Sequence, residues 1–134
     1  MIKTKLINII KDAIKNSATD IHFTNNQDEN TVTIQFRAGY IMRPHKTIEL
    51  KEYQKMLAYI RFHASMDLAN PMQPQSGGLI IEDGDDILSC RVSILPTTKF
   101  QSLVLRIINA QMGKNLDEIP LFPNNVDLLK EIAQ

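Results

Sequence analysis

Apolar residues recur every three or four positions at the start of the chain. Ile2, Leu6, Ile9, Ile10, Ala13 and Ile14 fall on one stripe, with Lys5, Lys11, Asp12 and Lys15 elsewhere. That period predicts an amphipathic helix over residues 2–16, stopped at Asn16-Ser17. From Asp20 the period changes to two, with Ile21 and Phe23 alternating with His22 and Thr24. The cluster Asn25-Asn26-Gln27-Asp28-Glu29-Asn30 reads as a polar turn. Val32, Ile34 and Phe36 then alternate with Thr31, Thr33, Gln35 and Arg37, the pattern of a strand with one wet face. Gly39 marks a tight turn into a further strand from Tyr40 to about Lys46.

The helical period returns over residues 49–66, with Leu50, Tyr53, Leu57, Ile60 and Ala64 spaced by three and four. Residues 70–78, rich in Pro and Gly, read as irregular. Such a loop is either a plain connector or a rigid element presenting polar groups. Leu79-Ile80-Ile81 starts a strand that turns at Asp83-Gly84-Asp85 and returns from Asp86 to Leu95. In the return, Leu88, Cys90, Val92 and Ile94 face one way, and Ser89, Arg91 and Ser93 the other. A last strand is expected from Phe100 to Ile108. Residues 109–123 follow as an extended connector, and Val126, Leu129 and Ile132 suggest a short closing helix. Short links between successive strands require antiparallel pairing. The expected fold class is therefore α+β, an antiparallel sheet of about six strands with flanking helices. Strand order is not readable. No repeat or low-complexity segment interrupts the chain.

Composition narrows the function more than the fold. The 134 residues suit one domain, and 43% apolar with 22% charged residues is ordinary globular usage. Fifteen basic residues balance fifteen acidic ones, so no basic field argues for direct nucleic-acid binding. Trp is absent and aromatics amount to 6%, a poor supply for base stacking. The single Cys90 cannot close an internal disulfide, which suits a reducing compartment. No apolar run approaches the roughly 20 residues of a membrane helix, so any membrane association is expected through a partner, without direct insertion.

Common catalytic machinery is missing. The single Gly-Lys pair, Gly113-Lys114, is followed by Asn115 and has Ile108 where a phosphate-binding loop needs its first glycine. His22, His45 and His63 lack metal-ligand spacing, and with one cysteine no metal site is expected. Cys90, on an apolar strand face without a basic neighbour, reads as a small core residue. His22 reads as a half-exposed strand residue. The unusual chemistry is arginine on strands: Arg37, Arg91 and Arg106. Arg91 has Ser89 and Ser93 on its own face; Arg106 has Val104 and Ile108, and is expected to be partly desolvated there. A guanidinium so placed can clamp a phosphate or carboxylate. From spacing alone, structural ion pairs with Asp20, Asp67, Asp86 or other carboxylates are the favoured reading over anion binding.

Six short motifs, in order over residues 18–108, resemble a family. Ala18-Thr19-Asp20-Ile21-His22-Phe23 resembles the "A-S/T-D-I-H" signature of the ATPases that drive type II secretion, type IV pili and DNA-uptake pseudopili. Phe36-Arg37-Ala38-Gly39-Tyr40-Ile41 resembles their "R-x-D-G" hairpin. The segment ending Met66-Asp67-Leu68-Ala69 resembles a helix ending "M-D-hydrophobic-A". Pro74-Gln75-Ser76-Gly77 resembles "P-Q-D-G", Cys90-Arg91-Val92-Ser93 resembles "R-V-S", and Val104-Leu105-Arg106-Ile107 resembles "V-hydrophobic-R-hydrophobic".

The resemblance implies a PAS-like domain that precedes a nucleotide-binding core. Residues 1–110 would form it, and residues 111–134 a connector with a short helix leading toward the core. A start at Met1 just before the first helix is most similar to the Gram-positive competence ATPases, which lack an extra leading domain. By itself this portion is expected not to be an enzyme. In the full-length protein, an ATPase requiring ATP and Mg, the resemblance implies that Arg91 and Arg106 contact the ATP phosphates, with Arg37 a further possibility. Implied partners are the protein's own C-terminal ATPase domain, neighbouring subunits of a hexamer and an inner-membrane platform protein, on the cytoplasmic side of the membrane. Ser76 and Gly78 depart from the family's "P-Q-D-G-R", Ala38 from its "D-G", and Phe100-Gln101-Ser102 from its Gly-Glu. No role is carried to residues 76–78. The alternative reading is a free-standing PAS-like interaction or ligand-sensing module whose arginines are structural.

Overall fold

The computed structural model describes residues 2–26, 29–64, 75–96 and 100–112. Helix α1 spans Ile2–Lys15, followed by strands β1 (Asp20–Asn26), β2 (Thr31–Ala38) and β3 (Ile41–Glu49). Helix α2 (Leu50–His63) leads to β4 (Gln75–Asp83), β5 (Asp86–Pro96) and β6 (Gln101–Gln111). All strands join one antiparallel sheet in the order β3-β2-β1-β6-β5-β4. Two three-stranded meanders therefore meet at β1 and β6, the first and last of the described strands. This is the expected α+β class.

The expected hydrophobic stripes form the core. Leu6, Ile9, Ile10, Ala13 and Ile14 of α1 and Tyr53, Met56, Leu57 and Ile60 of α2 are buried against one sheet face. That face carries Ile21, Phe23, Val32, Ile34, Leu88, Cys90, Val92, Ile94, Leu103 and Leu105, all buried. Each of the Leu, Ile, Val, Phe and Met side chains among them contributes about 2 kcal/mol over leaving it in water. Tyr53 stacks on Phe100 at 5.0 Å, and its hydroxyl donates to the carbonyl of Gln101, tying α2 to the start of β6. Lys11 of α1 bridges Asp83 at 3.0 Å and Asp86 at 2.7 Å, beside the β4–β5 turn, and these acids raise its pKa. Gly84, at φ +62°, and Gly39, at φ +63°, take the left-handed conformation their hairpin turns require.

Boundaries differ from expectation in several places, beginning with Asn25 and Asn26, which extend β1 where a turn was expected. Gln75-Ser76-Gly77-Gly78 is not loop but the first part of β4, paired residue for residue with Ile94 to Arg91. Pro cannot donate to such a ladder, but the prolines end at Pro74; glycine on an edge strand keeps its backbone hydrogen bonds. Strand β6 continues through Asn109, Ala110 and Gln111, where a connector was expected. The register shifts between Ser89 and Cys90, whose β6 partners are Asn109 and Ile107. Ile108 is thus a bulge residue, exposed, and the burial phase changes so that Ala110 points inward. Strand β3 runs on to Glu49, past the expected end near Lys46, and α2 opens with the Leu50 amide donating to the Asn30 carbonyl at 2.9 Å. Described helix ends at His63, where a helix through 66 was expected; Ser65 and Met66 lie outside the described residues. So do most of the 111–134 connector and its short helix, and the "M-D-L-A" motif apart from the helix before it.

Candidate functional site: an arginine row across the open sheet face

The helices occupy one face of the sheet, and the alternate side chains emerge on the other. Strand register then fixes which of them are neighbours. Asp20 of β1 is opposite Arg37 of β2 on one side and Arg106 of β6 on the other. Arg106 is in turn opposite Arg91 of β5, and Arg91 opposite Gly78 of β4. One transverse row thus reads Arg37, Asp20, Arg106, Arg91 and Gly78. All three candidate arginines come together in it, although they are separated by up to 69 positions in the chain, from Arg37 to Arg106.

Local chain geometry holds the row in place. The turn after α1 puts Ser17 at φ 58°, and Thr19 leads directly into β1. The Thr19 amide donates to the Arg37 carbonyl at 2.8 Å, while the Ile107 amide donates to the Thr19 carbonyl at 2.9 Å. Asp20 therefore starts β1 already clamped between β2 and β6. Its side chain is only 5% exposed. Arg106 donates Nε to Asp20 Oδ1 at 3.0 Å, and Arg37 Nη1 stands 3.9 Å from Oδ2. A buried carboxylate so flanked keeps its charge compensated. The same contact raises the pKa of Arg106 further, so it is a fixed cation.

The three arginines differ in what else they touch. Arg37 donates Nε to the Gly39 carbonyl at 3.1 Å, folding back on its own turn. Arg91 donates Nη2 to the Ser76 hydroxyl at 3.3 Å, and among the described residues it has no carboxylate partner. Arg106 engages Asp20 through Nε. Its side chain is 64% exposed, which corrects the expectation of a partly desolvated group: Val104 and Ile108 flank it without covering it. Arg91 is exposed too. Two of the proposed structural partners separate cleanly: Asp20 pairs with Arg37 and Arg106, whereas Asp86 pairs with Lys11. Asp67 lies outside the described residues.

The adjoining row is Gln35, His22, Val104, Ser93 and Ser76. His22 Nε2 is buried without a hydrogen-bond partner. Desolvation is the main cause that lowers its pKa, Arg37 adds to it, and Asp20 opposes it. The ring is therefore neutral at pH 7. Cys90 points to the opposite, core side, where burial pushes its thiol up to about 12, far from a reactive thiolate.

The sequence points to the three arginines and names Asp20 as one ion-pair partner for them, which the structure bears out. The place of Asp20 between two arginines follows from pairing, and its parity, shared with His22 and Thr24, puts it on the open face; Ser76 is the residue of the site that the sequence pattern does not single out. Ser76 was assigned to a loop, although Ser76, Gly78 and Ile80 already alternate with Leu79 and Ile81. Two clefts, of about 310 Å³ beside Phe36 and His45 and about 430 Å³ beside Leu57 and Arg61, lie away from the arginine row. Among the described residues no three His, Cys, Asp or Glu side chains converge as a metal site, and no helix is long and apolar enough to cross a membrane.

The row places guanidinium donors, a type of group that can hold an anion, on an open surface. Comparison with known proteins gives it a context. The family described as "Type II/IV secretion system protein" matches residues 1–134. The chain is 28% identical over 116 residues to competence protein ComGA of Bacillus subtilis, covering 87% of this chain and 32% of that protein. It is 30% identical over 123 residues to the ComGA of Halalkalibacterium halodurans, covering 90% and 34%. It is 29% identical over 132 residues to type II secretion system ATPase E of Vibrio cholerae, covering 97% and 26%. The chain thus spans about a third of the competence relatives and about a quarter of the secretion ATPase.

Proposed function

The chain belongs to the type II/IV secretion system protein family, and from that premise we propose that it is the N-terminal coupling domain of a secretion or competence ATPase. In this reading the full-length protein is a cytoplasmic hexamer whose core domain holds ATP. Domain closure brings the open sheet face against that nucleotide. The motion passes to an inner-membrane platform protein and so drives assembly of a competence pseudopilus, a type IV pilus or a type II secretion pseudopilus. By itself the domain hydrolyses nothing.

The observation that carries this reading is the lateral pair Arg91–Arg106. Register sets Arg91 and Arg106 opposite each other on an exposed face, and neither is consumed by a full bidentate carboxylate pair among the described residues. The donor set fits phosphate oxygens: planar N–H forks, permanently charged, and beside them the Ser76 and Ser93 hydroxyls. The only carboxylate in the row is already committed to arginine, so the Mg2+ that accompanies ATP would be held outside it. Bound ATP supplies the transferable phosphoryl group. Arg91 and Arg106 then neutralise charge on its terminal phosphate, and withdrawal of the sheet face removes that stabilisation. Arg37, turned back to Gly39, is a supporting group in this reading.

The test is steady-state ATP hydrolysis by the full-length protein carrying Arg91→Ala. Turnover is expected to fall by about 10³-fold, as for other arginines delivered to a terminal phosphate, with assembly and thermal unfolding unchanged. Wild-type turnover in a folded, assembled variant would refute the proposal.

A further inference from the structure

Arg106 uses its inner nitrogen for Asp20. A guanidinium gripped at Nε is fixed in plane and direction while both terminal nitrogens remain available. The alternative, a fork-to-fork pair with the carboxylate, would occupy one or both terminal nitrogens instead. The carboxylate is buried at the start of β1, an inner strand held between β2 and β6, and Arg37 stands on its far side. Arg106 itself is mostly in solvent and has only Val104 and Ile108 beside it on β6. Without Asp20, a long side chain with about 2 kcal/mol of rotamer entropy would stand next to the like charge of Arg91. Repulsion would drive the two apart.

We infer that Asp20 is a positioning residue: it holds Arg106 by Nε so that the terminal nitrogens of Arg106 and Arg91 present one joint receptor for the terminal phosphate. This rests on the reading above that Arg106 meets ATP. Asp20 does not touch the nucleotide and does not compete for it, because its contact leaves the phosphate-facing nitrogens free. Arg37 compensates the buried charge from the other side.

The experiment is a double-mutant cycle in the full-length protein, reading kcat and KM for MgATP together with thermal unfolding. Asp20→Asn keeps the shape and one acceptor oxygen but removes the charge. It is expected to lower kcat by about 10- to 100-fold, the size of a small misplacement of a catalytic group, with KM little changed. In the Arg106→Gln background, itself slower by about 10³-fold, the same substitution is expected to cost less than about twofold, because the effect travels through Arg106. A purely structural role would give the same loss in both backgrounds and would overturn the inference. Wild-type or faster turnover for Asp20→Asn would overturn it too, the faster rate marking a competing latch. Wild-type turnover for Arg106→Gln would instead refute the underlying reading, and the inference with it. Should Asp20→Asn fail to fold, Asp20→Ser, smaller and still polar, carries the same cycle.

Discussion

The two faces of this sheet are made by the same strands and share no chemistry. Along β5, Leu88, Cys90, Val92 and Ile94 enter a core closed by α1 and α2, while Ser89, Arg91 and Ser93 emerge on the other side. On the inner face each side chain is held by its neighbours, and stability depends on fit. On the outer face the arginines are exposed, Arg37 to 45%, and their arrangement depends on register and on a few polar contacts such as Asp20 to Arg106. The difference shows how a small domain separates the two demands. Charge can be concentrated on the open face at little cost in stability, provided the inner face keeps the strands in register.

Stability measurements can break that separation. Ile34→Ala, on the inner face of β2 and fully buried, is expected to lose about 2–5 kcal/mol of unfolding free energy through lost burial and the cavity left behind. Arg91→Ala, on the outer face, is expected to change it by no more than about 0.5 kcal/mol. Urea unfolding of the two variants reads both values. A loss of several kcal/mol for Arg91→Ala would mean that the outer row is part of the structural framework.

A smaller effect sharpens the boundary between the faces at His22, an outer-face residue whose Nε2 is nevertheless buried. Its folded-state pKa is lowered, so below about pH 6.5 the unfolded chain binds a proton that the folded chain resists. Unfolding free energy should therefore rise with pH through this window and fall on acidification. His22→Gln, which cannot titrate, should flatten the dependence between pH 7 and pH 5. An unchanged slope would show that other groups carry it.

The inner face was legible before any coordinates, because burial imposes a period on the sequence. Leu88, Cys90, Val92 and Ile94, and the α1 stripe from Leu6 to Ile14, all emerge as expected. Where the period breaks, so did the reading: the bulge at Ile108 inverted the phase of β6, and two glycines concealed the first half of β4. The outer face was legible in kind but not in arrangement. Arg37, Arg91 and Arg106 were picked out as arginines on strands, yet their adjacency depends on β1 pairing with β6, a contact between the two ends of the sheet-forming chain that no local pattern encodes. Asp20 was legible as an ion-pair partner, but its place between two arginines was hidden for the same reason. Its neighbours are set by pairing across 17 and 86 positions, to Arg37 and Arg106.

The most direct test is a structure of the full-length protein with Mg2+ and a non-hydrolysable ATP analogue. The account predicts terminal nitrogens of Arg91 and Arg106 within about 3 Å of terminal-phosphate oxygens, with Arg106 Nε still on Asp20. A closed, nucleotide-loaded state in which other groups surround the phosphates, and both arginines remain in solvent, would contradict it.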